Sequence, residues 1–180
     1  GLRVCQSAAE LAPFAKTGGL GDMVAGLARA LGRAGHEVRV FLPFYAPVAR
    51  LDFPFTLVEF LRDVEIHLGN RRFSYSVFTA RLPDSGVDVY FVHCPALYHH
   101  ESVYASGWAE YLRYALLSRA TLESCQRMGW APDVIHVHDW HTALVPVYLR
   151  TLYAWDRLFA RTRTVLTLHN LGYAGSFGAR

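Results

Sequence analysis

The sequence predicts an α/β fold: a Rossmann-like parallel sheet with helices on both faces and an inserted antiparallel hairpin. Three observations predict it. Short apolar runs alternate with stretches of helical periodicity. A glycine-rich loop joins the first run to the first helix, and Gly35 then stops that helix before a second run. In the middle of the chain, Gly69-Asn70 separates two extended stretches, which is a hairpin signal. A chain of 180 residues fits one domain. At that length roughly 70% of the unfolded surface can be buried, so the core needs no disulfide or metal.

The elements follow in order. Leu2 to Ser7 is a short apolar run that reads as a buried first strand. The loop APFAKTGGLGD is broken by Pro13, Gly18, Gly19 and Gly21. Leu20, Val24, Leu27 and Leu31 recur at helical spacing, and VRVFLP forms a second strand. Strand, loop, helix and strand make one βαβ unit with a right-handed crossover. Phe55 to Leu68 and Arg71 to Leu82 read as the two arms of the hairpin, the second alternating Phe73, Tyr75 and Val77 with Arg72, Ser74 and Ser76. Residues 87–92 (VDVYFV) return to a continuous apolar strand, followed by the irregular aromatic loop CPALYHHESVYASG. Trp108 to Met128 is the longest predicted helix. Residues 134–140 (VIHVHDW) form a strand whose polar residues crowd its far end. Thr142 to Tyr153 reads as a helix with Pro146 near its first turn, where proline is tolerated. Residues 163–168 (RTVLTL) are a last strand, running into His169-Asn170. The following GYAGSFGAR supplies no helix to cover the final sheet face, so the sequence predicts a longer gene product.

Composition narrows the function. The net charge of +3, with no basic run longer than Arg71-Arg72, argues against nucleic acid as a partner. No apolar run approaches the ~18 residues of a membrane span, and no signal-peptide pattern opens the chain. The expected location is therefore the cytoplasm, with no membrane partner. Cys5, Cys94 and Cys125 are widely spaced and odd in number, and Cys5 and Cys125 fall in apolar stretches as buried free thiols. Of the 18 basic residues only Lys16 is a lysine, and it sits in the glycine-rich loop.

Ligands of open parallel sheets bind beyond the carboxyl ends of the strands. Three strand ends here deliver polar groups: Lys16 to Asp22 after the first, Asp139-Trp140-His141 after the fourth parallel run, and His169-Asn170 after the last. Gly18 and Gly19 let backbone N–H groups approach an anion, beside the positive end of a helix, and Lys16 adds a mobile charge. On the loop alone a phosphate cradle and a plain turn are equally good readings. The Walker and dinucleotide glycine patterns are both absent. His136, His138, Asp139 and His141 resemble a zinc cluster, but the aspartate is one residue out of register, and only distant His93 offers a fourth ligand. No metal is predicted.

The segment APFAKTGGLGDMVAGLARALGRAGHEVRVFLP resembles the opening of bacterial glycogen synthases and plant starch synthases, with their Lys-x-Gly-Gly-Leu signature. PDVIHVHDWHTALVPVYLR and TVLTLHNLGYAG are similar to that family's next two blocks, in the same order, and YLRYALLSRATLE to the preceding helix. The resemblance covers the whole chain and implies a GT-B fold, of which residues 1–180 would be the N-terminal Rossmann-like domain. A C-terminal nucleotide-binding domain, with an Arg/Lys pair and a late glutamate, would lie outside it. The implied reaction transfers glucose from ADP-glucose to the non-reducing end of an α-1,4-glucan such as glycogen, with retention and without a cofactor. Lys16, Gly18 and Gly19 match the donor-phosphate positions, and Asp22 closes the same motif near the donor sugar. Asp139 and His169 match the acidic and histidine catalytic positions, with Asn170 beside them. Tyr104, Trp140 and His141 match sugar- or glucan-facing places. GWAEYLRY lacks the family's acidic-Asn pair, and Gly172 and Ala174 stand where alanine and glutamine are common. Two alternatives stay open: a GT-B transferase with another acceptor, and a non-catalytic glucan- or nucleotide-binding domain.

Overall fold

A computed structural model of the chain describes residues 1–105 and 110–177. The parallel strands are β1 (Arg3–Ser7), β2 (Glu37–Pro43), β6 (Asp88–His93), β7 (Val134–His138) and β8 (Arg163–Thr167). The added strands are β3 (Thr56–Leu57), β4 (Val64–Leu68) and β5 (Arg71–Arg81). The helices are α1 (Gly19–Arg33), α2 (Ala46–Ala49), α3 (Pro95–Tyr98), α4 (Glu110–Met128) and α5 (Leu144–Arg150). The sheet runs β3-β5-β6-β2-β1-β7-β8, with β4 paired to β5 off that path. All pairings from β6 to β8 are parallel, and those of β5 are antiparallel.

Crossover handedness decides the layers. The β1–α1–β2 and β6–α4–β7 connections move in opposite directions along the sheet, so right-handed crossovers put α1 on one face and α4 on the other. Side chains agree: Ser7 on β1 meets Thr121 of α4 at 2.9 Å between hydroxyl oxygens. Its neighbour Gln6 points to the opposite face of the strand. The α/β architecture with an inserted hairpin is as the sequence predicts.

Several boundaries differ. The stripe expected on α1 was leucine-rich, but the buried residues are Gly21, Val24, Ala25 and Ala28. Small side chains bring this helix close to the sheet, leaving Leu20, Leu27 and Leu31 half-buried. The arm from Phe55 to Leu68 is not one strand: a 3-10 turn at Glu59–Leu61 and Asp63 at φ 50 interrupt it. Asp63 then donates its N–H to the Ser76 hydroxyl at 2.9 Å, which is why Ser76 is buried rather than facing solvent. The two-residue Gly69-Asn70 turn is present, with Leu68 opposite Arg71 and Gly69 at φ 61. The predicted helix from Thr142 to Tyr153 shrinks to α5, because Trp140–Thr142 form a 3-10 turn and Thr151 leaves helical geometry. Trp108, where the long helix was expected to begin, lies outside the described residues.

The core is continuous from the sheet into the glycine-rich loop. Phe14, at the loop's base, packs edge-on against Phe91 of β6 with ring centroids 5.0 Å apart, and Phe44 and Phe55 close the same cluster. All three cysteines are buried free thiols. Strand β8 differs from the other parallel strands: Val165 and Leu166 are each 46% exposed.

Candidate functional site

The site begins where the sheet changes direction. Connections leave β1 towards β2 and β7 towards β8, on opposite sides, so a crevice opens beyond the carboxyl ends of these two adjacent strands. There the structure forms a cavity of about 730 Å³, within the range of small-molecule sites. Gly18, Gly19, Tyr104, Asp139, Trp140, His141, His169 and Asn170 all line it. Two smaller clefts, of about 320 and 410 Å³, are lined instead by residues such as Arg163 and Asp133, at the opposite strand ends.

The glycine loop is built before it meets any ligand. Leu11 and Ala15 exchange two backbone hydrogen bonds of 2.9 Å, and Ala12 donates to the carbonyl of Gly21 at 3.1 Å. A Cβ on Gly21 would fall 3.0 Å from the Ala15 carbonyl oxygen, so this glycine serves close backbone packing. Gly18 and Gly19 are different, since nothing lies within 4 Å of where their Cβ atoms would be. Their freedom from side chains keeps the mouth of the cavity open. Gly18 is the N-cap of α1, with no side-chain cap, and the first N–H groups of the helix have no intrahelical acceptor.

Glu10 is the residue that sequence reasoning missed. It is buried, and its carboxylate accepts the Thr17 N–H at 2.7 Å, the Thr17 hydroxyl at 3.2 Å and the Gly18 N–H at 3.3 Å. It also accepts the Tyr104 hydroxyl. The Gly18 N–H is therefore committed to the protein, and the anion-facing donors are those of Gly19 and the first turn of α1. A lone glutamate within SAAELAPF carries no periodicity or motif signal; only the loop's need for an acceptor reveals it. Tyr104, reached from a distant loop, is held as a neutral phenol, because burial and then the Glu10 contact both raise its pKa.

Lys16 and Asp22 do not line the cavity. They form an ion pair of 2.7 Å, with each side chain about half exposed. The lysine is thus at the rim, held by the aspartate of its own motif, and exposure lets it exchange that partner for another anion.

The end of β7 is backbone-strained. Asp139 has φ 57 and ψ −172, a combination costly for any residue with a Cβ. The residue is 7% exposed; its carboxylate accepts the His169 N–H at 2.6 Å, while its backbone N–H donates to the Thr167 carbonyl at 2.9 Å. Thr142 accepts the His138 N–H at 2.9 Å, and its hydroxyl donates to the Ser7 carbonyl at 3.0 Å, which ties β7 to β1. Asn170 spends its side-chain oxygen on the Gly172 N–H at 2.8 Å, a local turn rather than a free ligand-binding group.

The histidines do not converge as a metal cluster; among the described residues no group of three or more metal-binding side chains does. His136 stacks on His138 at 4.2 Å and shares a 2.6 Å hydrogen bond with Thr167. His138 bonds Gln6 at 2.9 Å and His169 at 3.0 Å. His141 turns the other way, packing on Trp140 at 4.3 Å, Tyr114 at 4.7 Å and Tyr104 at 5.3 Å. Burial lowers its pKa to about 4 against the opposing charges of Asp139 and Glu10, so it is neutral, and its Nδ1 has no partner among the described residues.

The cavity thus offers helix-end N–H groups at one side, with the Lys16–Asp22 ion pair just outside its lining. A carboxylate, two imidazoles and an aromatic wall lie at the other. That combination suits a ligand with an anionic end and a hydroxyl-rich body.

Comparison with known proteins agrees. A family model described as the starch synthase catalytic domain matches residues 3–180. The chain is 39% identical to glycogen synthase 1 of Geobacter sulfurreducens over 98% of its length and 36% of that protein's. It is also 39% identical to the glycogen synthase of Koribacter versatilis, with the same coverage of 98% and 36%. Among solved structures, the catalytic domain of starch synthase IV from Arabidopsis thaliana, bound to ADP and acarbose, superposes with a TM-score of 0.86 at 34% identity. That match covers 96% of this chain and 35% of the other. A sucrose-phosphate synthase from Thermosynechococcus elongatus, at 16% identity and a TM-score of 0.53 over 94% of this chain and 34% of the other, shares the fold alone. The chain spans about a third of the length of these relatives. With its sequence matched from end to end and its sheet superposed on that of a plant enzyme, this chain belongs to the starch synthase catalytic domain family.

Proposed function

We propose that this chain is the N-terminal Rossmann-like domain of a two-domain GT-B glucosyltransferase of the glycogen synthase type. Its donor is ADP-glucose, and its acceptor is the non-reducing end of an α-1,4-glucan. The observation that carries this reading is the single cavity joining the open glycine loop at Gly18–Gly19 to Asp139 and His169. The relatives supply the reaction class, and the cavity supplies places for its two charge changes.

Breaking a glycosyl–phosphate bond develops negative charge on the departing diphosphate and positive charge at the anomeric carbon. The N–H groups of Gly19 and the first turn of α1 face the former, with Lys16 free to leave Asp22 for a phosphate. One preorganised donor of this kind is worth roughly 3–4 kcal/mol in the transition state. Asp139 and His169 orient the sugar and favour an oxocarbenium-like state, as carboxylates do in glycoside hydrolysis. Tyr104, Trp140 and His141 present rings and polar edges to glucan. Retention follows the family. No cofactor is required, and the nucleotide sugar is substrate.

A cytoplasmic setting fits a nucleotide-sugar donor and three unpaired buried thiols. No helix among the described residues is long and apolar enough to cross a membrane.

Residues 1–180 alone are expected to transfer no glucose, because the other wall of the cleft belongs to the second domain. The test is a hybrid in which this chain replaces the matching first third of the Geobacter sulfurreducens glycogen synthase. A folded hybrid should extend glycogen from ADP-glucose. Turnover by the 180 residues alone, or a folded hybrid without transfer, would contradict the proposal.

A further inference from the structure

The proposed function leaves the buried amide of Gln6 without a task. Gln6 lies on β1, fully buried, and aims its side-chain oxygen at His138 Nε2 at 2.9 Å. Its amide nitrogen has no partner among the described residues. An orphaned buried donor is costly, so this amide lowers stability, and the bond to His138 is what it provides. From His138 the contact continues: Nδ1 lies 3.0 Å from Nε2 of His169, and the two rings stack with centroids 5.3 Å apart. His169 is the only one of the three that is exposed, and it lines the cavity.

We infer that Gln6 and His138 are positioning residues that fix the tautomer of His169, so that its Nδ1 faces the ligand as a hydrogen-bond acceptor. A neutral imidazole carries one N–H and one lone pair. The Gln6 oxygen can only accept, so His138 carries its proton on Nε2. Its Nδ1 is then the acceptor, and the proton between the rings belongs to Nε2 of His169. In the neutral form of His169 the remaining nitrogen carries a lone pair, on the edge that no group among the described residues holds. It accepts a hydrogen bond from a sugar hydroxyl and cannot donate one.

The chain of protons stays in this order only if His138 remains neutral. Burial first, then the neighbouring His136 and His169, lower its pKa to about 3. His136 is turned to Thr167 and does not compete for either nitrogen of His138. Fixing a histidine tautomer through the hydrogen bond on its far nitrogen is a general device of imidazole sites; here it takes two residues, one of them on another strand. The sequence alone gave His138 as part of a possible metal cluster and gave Gln6 no role.

The role of His169 towards a sugar rests on the glucosyltransferase reading; the tautomer chain itself does not. The test therefore has two arms. In the 15N-histidine-labelled chain, one-bond N–H couplings should place the proton on Nε2 of both His138 and His169. A proton on Nδ1 of either ring, as the reversed amide would give, overturns the inference. In Gln6→Met, which keeps the volume but removes the acceptor, both rings should become mixtures of tautomers. Unchanged tautomers in a folded variant also overturn it. In the second arm, Gln6→Met in the active hybrid should lower kcat roughly tenfold, the worth of one hydrogen bond, with the donor KM changed less than about twofold. A KM rise with unchanged kcat would make Gln6 structural only. A hybrid that never transfers glucose counts against the function and leaves the spectroscopic arm to decide the tautomer.

Discussion

Asp139 accepts the backbone N–H of His169 at 2.6 Å, so one carboxylate latches the ends of two parallel strands together at the cavity. The same residue stands at φ 57 and ψ −172, where a Cβ is costly by about 1–3 kcal/mol. Replacing it separates the two effects. Asp139→Ala loses the latch and keeps the strain, whereas Asp139→Gly loses the latch and relieves it. Urea unfolding should find the glycine variant more stable than the alanine variant by about 1–3 kcal/mol. Equal stabilities would mean that the backbone is unstrained.

Glu10 makes a second prediction. Its carboxylate gathers donors from Thr17, Gly18 and Tyr104, and hydrogen bonds to charged groups are worth about 1.5–3 kcal/mol each in net stability. Glu10→Ala should cost about 3 kcal/mol and accelerate amide hydrogen exchange at Thr17 and Gly18 selectively. Exchange that rises evenly across the chain would deny Glu10 its place in the loop.

The glycines divide by task. A Cβ at Gly21 meets backbone at 3.0 and 3.3 Å, so Gly21→Ala should lower stability by about 1–3 kcal/mol. At Gly18 and Gly19 a Cβ meets open space. Gly18→Ala and Gly19→Ala should melt near the parent while weakening donor binding. The combination of a thermal melt and a binding titration distinguishes the two classes.

Acid should loosen the site. His138 and His141 have pKa values lowered by burial to about 3 and about 4, against about 6.5 in the unfolded chain. Between those values and 6.5 the unfolded chain binds protons that the folded chain refuses, so stability is lost as pH falls through that window. From pH 7 to 5 each histidine should contribute a loss of about 2 kcal/mol. Urea midpoints measured for the parent and for His141→Asn should show a shallower pH slope in the variant. Parallel slopes would exclude His141 as a source.

Much of this was legible in the residues. The βαβ unit, the Gly69-Asn70 hairpin and the placement of polar residues at three strand ends all follow from periodicity and turn chemistry. Gly18, Gly19, Asp139 and His169 then meet because parallel strands align their carboxyl ends. The misses share a cause. Gln6 is defined by a partner 132 residues away, and Glu10 joins the nearby Thr17 and Gly18 to Tyr104, 94 residues away; no motif or periodicity records such contacts. The short α5 and the broken arm before β4 reflect tertiary packing overriding propensity, as Asp63 shows by spending its N–H on Ser76 across the hairpin. The metal-like spacing of His136, His138 and His141 dissolves because the chain turns sharply at Asp139 and sends His141 to the aromatic wall.

On the proposed function, a nucleotide-sugar diphosphate sits at the open glycine loop, between the start of α1 and Asp139. Titration of the 15N-labelled chain with ADP-glucose tests it most directly. The largest amide shifts are expected at Gly19 and Leu20, with further shifts at Asp139 and His169, and Lys16→Gln should weaken binding tenfold or more, about the value of one charge-assisted contact. Shifts confined to the arginine-bearing clefts at the opposite strand ends, with the loop unmoved and Lys16→Gln binding as tightly as the parent, would contradict it.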